Sequence, residues 1–496
     1  MPLIPKAIYE DFRNGELDKN LAIELLMTLI DNSESTDTRI ESIRILDKIP
    51  LNDQQTFKFL EHLMISDLDE NVRNLTCKVL ANHYLDKVIV PISWMLEYEK
   101  SIKCLVTGIS TLSEINTDDS KLILVNKLSK LYTRENKFNL KDIFKRRKIE
   151  DLSNQDLAEI LLNYYVISFL KRKYGFITYD INEMGLISKL DLSNVDPQGI
   201  SLPNFLDSIF SLKALKSFDL RFNHLVELPE ISNESTSLIS LDISYNNLIS
   251  LSTSIEKLKS LKVLNLKSNR LRALPDTLSN LSLLQKLNLR NNMLKKIPTS
   301  ITYLKSLKYL DFHGNKLTSI DTKLNNSIEE IELGWNNLIK FPSYIKYLTG
   351  LEKLGISGNK IKKLPKWISS LQALKVLDLY DNDILDLPDS IGNLRNLQIL
   401  SLRNNHITIL PESIIYLRNL KKLDLSWNNL EFLPDWIENL TSLEELNLWG
   451  NKLETIPKSI VSLQNLKMLD LNFNKLEQIP PFLKELERKS RLIIKF

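Results

Sequence analysis

The stretch "LDLSWNNLEFLPDWIENLTSLEELNLWGNKL", residues 423–453, states one frame twice. Leu423, Leu425, Asn428 and Leu430 return 23 positions later as Leu446, Leu448, Asn451 and Leu453. Carried along the chain, the frame LxxLxLxxNxL places its asparagine at Asn223, Asn246, Asn269, Asn292, Asn315, Asn336, Asn359, Asn382, Asn405, Asn428, Asn451 and Asn474. Ten of the eleven intervals are 23 residues; Asn315 to Asn336 is 21, where "IDTKLNNSIEEIEL" is shorter than its counterparts and lacks their proline. A period of this length is the signature of a solenoid, in which no unit buries its own core and stacking does so.

Each unit reads as one turn. In "LKVLNLKSNRLRALPDTLSNLSL" the alternation Leu264, Asn265, Leu266 predicts a short strand with leucines inward. The asparagine turns the corner, because its amide can satisfy backbone groups that the turn leaves unpaired. Six positions later comes proline in ten of the twelve units, the exceptions being Ser252 and Asp321. Proline fixes φ and needs no donor, which suits the entry to a short convex segment.

These residues resemble the leucine-rich repeat family, in its intracellular Ras-suppressor and Scribble-like form, over about residues 186–496. The fold class so implied is an α/β solenoid, a horseshoe with a parallel concave sheet used as a docking surface without catalysis. The ends are atypical, as caps must be. "ISKLDLSNV" makes a degenerate opening coil with Val195 in the asparagine place. At the other end, Leu492 and Ile494 stand where the next strand's leucines belong, and Lys489 gives the last coil a polar side.

Residues 1–175 carry no such frame and read as an all-α domain, with 176–496 as the repeat domain. Apolar spacings of three and four in "NGELDKNLAIELLMTLIDN", "TRIESIRILDKI", "DQQTFKFLEHLM", "ENVRNLTCKVLANHYL" and "SIKCLVTGISTL" predict one helix each. "KLILVNKLSKLY" and "DLAEILLNYYVISFLKRKYGF" predict two more, the last placed to cap the opening coil. Arg39 and Leu46 answer Arg73 and Leu80 at a spacing of 34, which resembles a degenerate HEAT-type repeat.

Composition narrows the function. The 65 Lys and Arg nearly balance the 62 Asp and Glu, which disfavours binding to nucleic acid or membrane by bulk charge. Two cysteines, Cys77 and Cys104, and no signal peptide or apolar span point to a cytoplasmic chain without a membrane partner; a monomer is the expectation, which these features do not themselves decide. No phosphate-binding loop, GxGxxG, HExxH or GxSxG motif occurs, and the five histidines are scattered, so no cofactor, metal or catalytic residue is expected. Two alternatives remain: an enzyme site within the helical domain, and nucleic-acid contact through Lys141 to Lys148 and Lys171 to Lys173.

The residues between the leucines face away from the core and name the candidate site. Four positions before the asparagine stand Asp219, Asp242, Asp311, Glu332, Asp378, Asp424 and Asp470; two before, Arg221, Tyr380 and Trp449 among others. One before stand Phe222, Tyr245, Trp335, Trp427 and Phe473. Solvent-facing aromatics of this kind are enriched as interface anchors. The expectation is a scaffold protein that binds another protein on its concave face. The family resemblance implies a small GTPase or a phosphatase subunit as that partner.

Overall fold

The computed structural model describes residues 4–134, 144, 148–199, 202, 205–232, 237–489 and 492–496. The chain divides into two compact units, one of Met1–Asp191 with Asn204–Lys216, the other of Leu192–Pro203 with Ser217–Phe496.

The first unit is built of helices whose starts are written in the sequence. Asp18, Ser35, Asp53 and Asp69 each accept a backbone N–H from the first turn of the helix that follows, over Lys19–Asn32, Thr36–Leu46, Gln54–Ser66 and Glu70–His83. Ser153 and Asp156 form a reciprocal capping box at the head of Asn154–Tyr174. The spacing of 34 has a structural counterpart. Arg39 pairs with Asp67 at 3.2 Å and Arg73 with Glu99 at 2.8 Å, one helix pair apart. Among the described residues of this unit, two helices of ten residues had no reading in the sequence, Pro5–Asn14 and Ile89–Tyr98. Both carry proline near the start, where its missing N–H is not needed.

The helix Asn154–Tyr174 buries almost one whole side, and two of its polar residues hold the end of the unit. Asn163 accepts the backbone N–H of Ile187 at 2.7 Å, fixing the strand Ile187–Asp191. Glu159, 5% exposed, accepts the N–H of Lys213 at 3.3 Å and lies 3.8 Å from its ammonium. Cys77 and Cys104 are free and buried, and burial pushes both thiols up to about 12.

The second unit is a parallel sheet of three-residue strands running from Ser217–Asp219 to Ile493–Lys495. Leu377, Leu400, Leu423, Leu446 and Leu469 stand in one register row. Leu310 pairs with Ile331, so the two-residue deletion spares the strand. It falls on the opposite side, where the described segment between these strands has no 3-10 helix, unlike Thr299–Tyr303 before it and Ser343–Tyr347 after it. Proline precedes most of these 3-10 helices as expected; Ser252, at a proline-free place, caps its own with its hydroxyl.

The asparagines staple neighbouring coils. Nδ2 of Asn428 donates to Leu402 one coil back (2.9 Å) and to Leu425 in its own coil (3.0 Å), while Oδ1 accepts the N–H of Ile407 (3.0 Å). The pattern repeats from Asn246 to Asn474. One register differs from expectation. Leu469 pairs with Ile494, not Leu492, so the closing strand arrives two residues late. The physical reason is the connector, which here is an α-helix, Pro481–Lys489, longer than the five-residue 3-10 segments elsewhere. The side chain of Lys489 lies outside the described residues.

Candidate functional site

The row one place before each asparagine has a property that the sequence pattern did not announce. All twelve positions, from Phe222 to Phe473, have φ between 53° and 68°. Six are Gly, Asn or Asp, which tolerate this left-handed conformation, and one is Ser268; five are aromatic. For an aromatic side chain the conformation costs about 1–2 kcal/mol, and no local hydrogen bond offsets it. These rings are nevertheless left in solvent. Trp335 is 50% exposed, Trp427 48% and Phe473 77%.

The rings organise into clusters along the column. Phe222 and Tyr245 stack at 4.6 Å with their planes 14° apart. Trp335 lies over the backbone of Gly358, where an added Cβ would come within 2.7 Å of the indole. Toward the C-terminus Trp449 meets Trp427 edge-on at 5.0 Å and Phe473 at 5.7 Å. On the same edge Arg403 lies over the rings of Tyr380 and Trp449. Trp367, on the 3-10 side, packs edge-to-face on Phe341.

The acidic row has a structural duty first. Asp219, Asp242, Asp311, Asp378, Asp424 and Asp470 each accept the backbone N–H two residues on, at 2.8–3.1 Å. Asn265, Asn288 and Asn447 do the same, so the position selects a short side chain with an acceptor oxygen, charged or not. Asp311 departs furthest from the expected exposed site, being 3% exposed and also accepting from the Tyr309 hydroxyl. Glu332 is too long for this turn. It leans across Gly355 to Lys353 at 2.8 Å, and burial, only partly countered by that lysine, raises its carboxyl above the usual range. Burial and the Arg290 charge lower the nearby His313.

A further row was legible but unread. Six places before the asparagine, the period of two puts Tyr309, Lys353, Lys422 and Glu445 on the same face as the acidic row. Lys422 and Glu445 pair at 2.7 Å. In the helical unit, Lys171 and Lys173 rest over aromatic rings, Lys171 on Tyr179 at 4.9 Å and Lys173 on Phe205 at 5.0 Å. Of the other basic run, residues 141–143 and 145–147 lie outside the described residues. Among the described residues no group of three His, Cys, Asp or Glu could hold a metal, and no helix is long and apolar enough to cross a membrane.

A parallel sheet of short strands, one per coil, sealed by an asparagine ladder, defines a repeat solenoid of the protein-interaction class. The chain belongs to the leucine-rich repeat family. Residues 236–294 match the leucine rich repeat model and residues 366–478 the leucine-rich repeat region model. Among solved structures it is similar to the LRR protein LIC12759 of Leptospira interrogans, at 32% identity over 65% of this chain and 94% of that one, with a TM-score of 0.53. It shares its fold with an internalin (inlF) from Listeria monocytogenes at 20% identity, covering 72% of this chain and 93% of that one, with a TM-score of 0.54. No curated protein matches the chain.

Proposed function

We propose that this protein is a non-catalytic scaffold that docks a partner protein on the open face of its repeat sheet, anchored by Trp335 and by the aromatic patch from Tyr380 to Phe473. The observation that supports this most directly is the placement of Trp335, Trp427 and Phe473 in a left-handed conformation while they stay about half exposed or more. Neither local backbone preference nor core packing selects such residues, whereas an interface that buries them would. Thirteen strands at about 4.8 Å spacing give a face long enough for a small domain. A small GTPase or a phosphatase subunit is the partner class the family resemblance favours. The unpaired, buried thiols suit a reducing, cytoplasmic setting.

An enzymatic reading would rest on the groove of about 530 Å³ lined by Lys6, Tyr9, Glu10, Arg13, Asp37 and Arg44 in the helical unit. Its charges are of both signs and reach solvent, Lys6 pairing with Glu41 at 3.4 Å, so the groove offers no water-excluded acid or base. The test of the docking reading is affinity capture with the full chain. Proteins retained by the wild type should be lost from the combined Trp427→Ala and Trp449→Ala variant while its melting temperature stays close to wild type. Retention of those proteins by the double variant would end the proposal.

A further inference from the structure

Five units place Arg221, Lys267, Arg290, His313 or Arg403 two positions before the asparagine. Arg221 is neutralised within its own coil, its Nε 2.8 and 3.0 Å from the two carboxylate oxygens of Asp219 and its Nη2 at 2.6 Å. Arg403 occupies the same place, but the residue two positions upstream is Ser401. No carboxylate among the described residues pairs with it, and its Nε is buried without a hydrogen-bond partner. What holds the side chain is aromatic. The guanidinium carbon lies 5.5 Å from the centre of the Tyr380 ring and 5.6 Å from that of Trp449. Ser426, the small residue that stands between Arg403 and Trp449 in this row, is fully buried.

A guanidinium held on ring faces keeps its forked edge of N–H donors for a planar acceptor, and a carboxylate matches that fork. Trp427, Trp449 and Phe473 form an apolar wall beside it, which strengthens a charged hydrogen bond by thinning the water around it. A doubly charged phosphate would call for more cations than this one. Lys422, on the neighbouring strand, is already paired with Glu445.

Building on the docking reading above, we propose that Arg403 receives a carboxylate side chain of the partner protein, an Asp or Glu whose apolar neighbour covers Trp427, Trp449 and Phe473. The occupant is therefore an acidic, partly apolar segment of a protein surface.

The experiment titrates the tryptophan fluorescence of the full chain with the capped peptides acetyl-Leu-Asp-Phe-amide and acetyl-Leu-Asn-Phe-amide. The Asp peptide should bind roughly tenfold more tightly, the discrimination typical of one charge-assisted hydrogen-bonded pair. Arg403→Gln should erase the difference. So should Ser401→Asp, which installs the counter-ion that Arg221 has and leaves every aromatic in place, at a position where six other coils already carry Asp. Equal affinity for the two peptides, absence of binding by both, a preference that survives either variant, or competition by inorganic phosphate at peptide concentrations would overturn the assignment. The two readings fail separately. Partner capture lost in the tryptophan double variant but kept in Arg403→Gln removes the carboxylate and leaves docking, whereas capture kept in all variants removes docking itself.

Discussion

Asn428 reaches back one full coil to Leu402, its amide nitrogen donating to that carbonyl at 2.9 Å while its oxygen receives the N–H of Ile407. The bond is a tie between repeats rather than within one, so the corner residue of each unit carries the cohesion of the stack. Because stability in such arrays is approximately a sum over neighbouring interfaces, a broken tie should act locally and strongly.

Asn428→Ala removes both donors and the acceptor and leaves buried backbone groups of two coils unpaired. The expected loss is about 1–3 kcal/mol for each group left unsatisfied, read by chemical denaturation. Hydrogen exchange should speed up first at Ile407, whose N–H Asn428 accepts, and less at Leu430, whose N–H is held by Asn451. Uniform protection across the array would contradict the local character of the tie.

Phe473→Asn exchanges a 77% exposed ring in a left-handed conformation for a residue that tolerates it. Little packing is lost, so the variant should be more stable than the wild type by about 1 kcal/mol while binding its partner less well. A drop in stability would show that the ring packs more than its exposure indicates.

Gly358→Ala tests the floor beneath Trp335. At φ +60° the new Cβ would meet the indole at 2.7 Å, so strain and collision act together. The expected cost is about 1–2 kcal/mol, with a red shift of tryptophan emission as Trp335 is displaced into water. An unchanged spectrum would count against the close approach.

Glu159 gives the helical unit a pH dependence of defined sign. Burial pushes its carboxyl from 4.5 up to about 7, against the smaller opposing pull of Lys213. The folded state therefore holds this proton to higher pH than the unfolded chain does. Its contribution is complete below about pH 4.5 and is lost as pH rises through about 7. Urea midpoints of Glu159→Gln should lack that decline, and parallel profiles for the two proteins would exclude Glu159 as its source.

Much of the fold was legible because it rests on short-range periodicity. A period of two placed the leucines inward, the spacing of 23 counted the coils, and apolar spacings of three and four marked most of the longer helices. Ile89–Tyr98 escaped because Pro91 obscured an otherwise apolar helix, although a first turn accommodates proline. The closing strand escaped because its register depends on how the connector folds. A 3-10 segment and an α-helix consume different numbers of residues across the same gap.

The candidate face divides along the same line. Its aromatics could be found from the row that contains them, but the meaning of the neighbouring aspartates could not. Those residues read as an acidic surface, yet each first closes a turn by accepting a backbone N–H, which only the folded loop reveals.

The amino-acid order alone determined that this chain stacks near-identical coils, where each of the twelve asparagine-bearing coils turns, and which side chains are free to vary, because those facts follow from hydrophobic spacing along the backbone. Tertiary structure decided that the aromatic column is left-handed and strained, that Glu159 is buried beside Lys213, and that Arg403 meets rings instead of a carboxylate. Backbone rotation and the company a side chain keeps in adjoining coils arise only when separate turns of the solenoid are brought into contact.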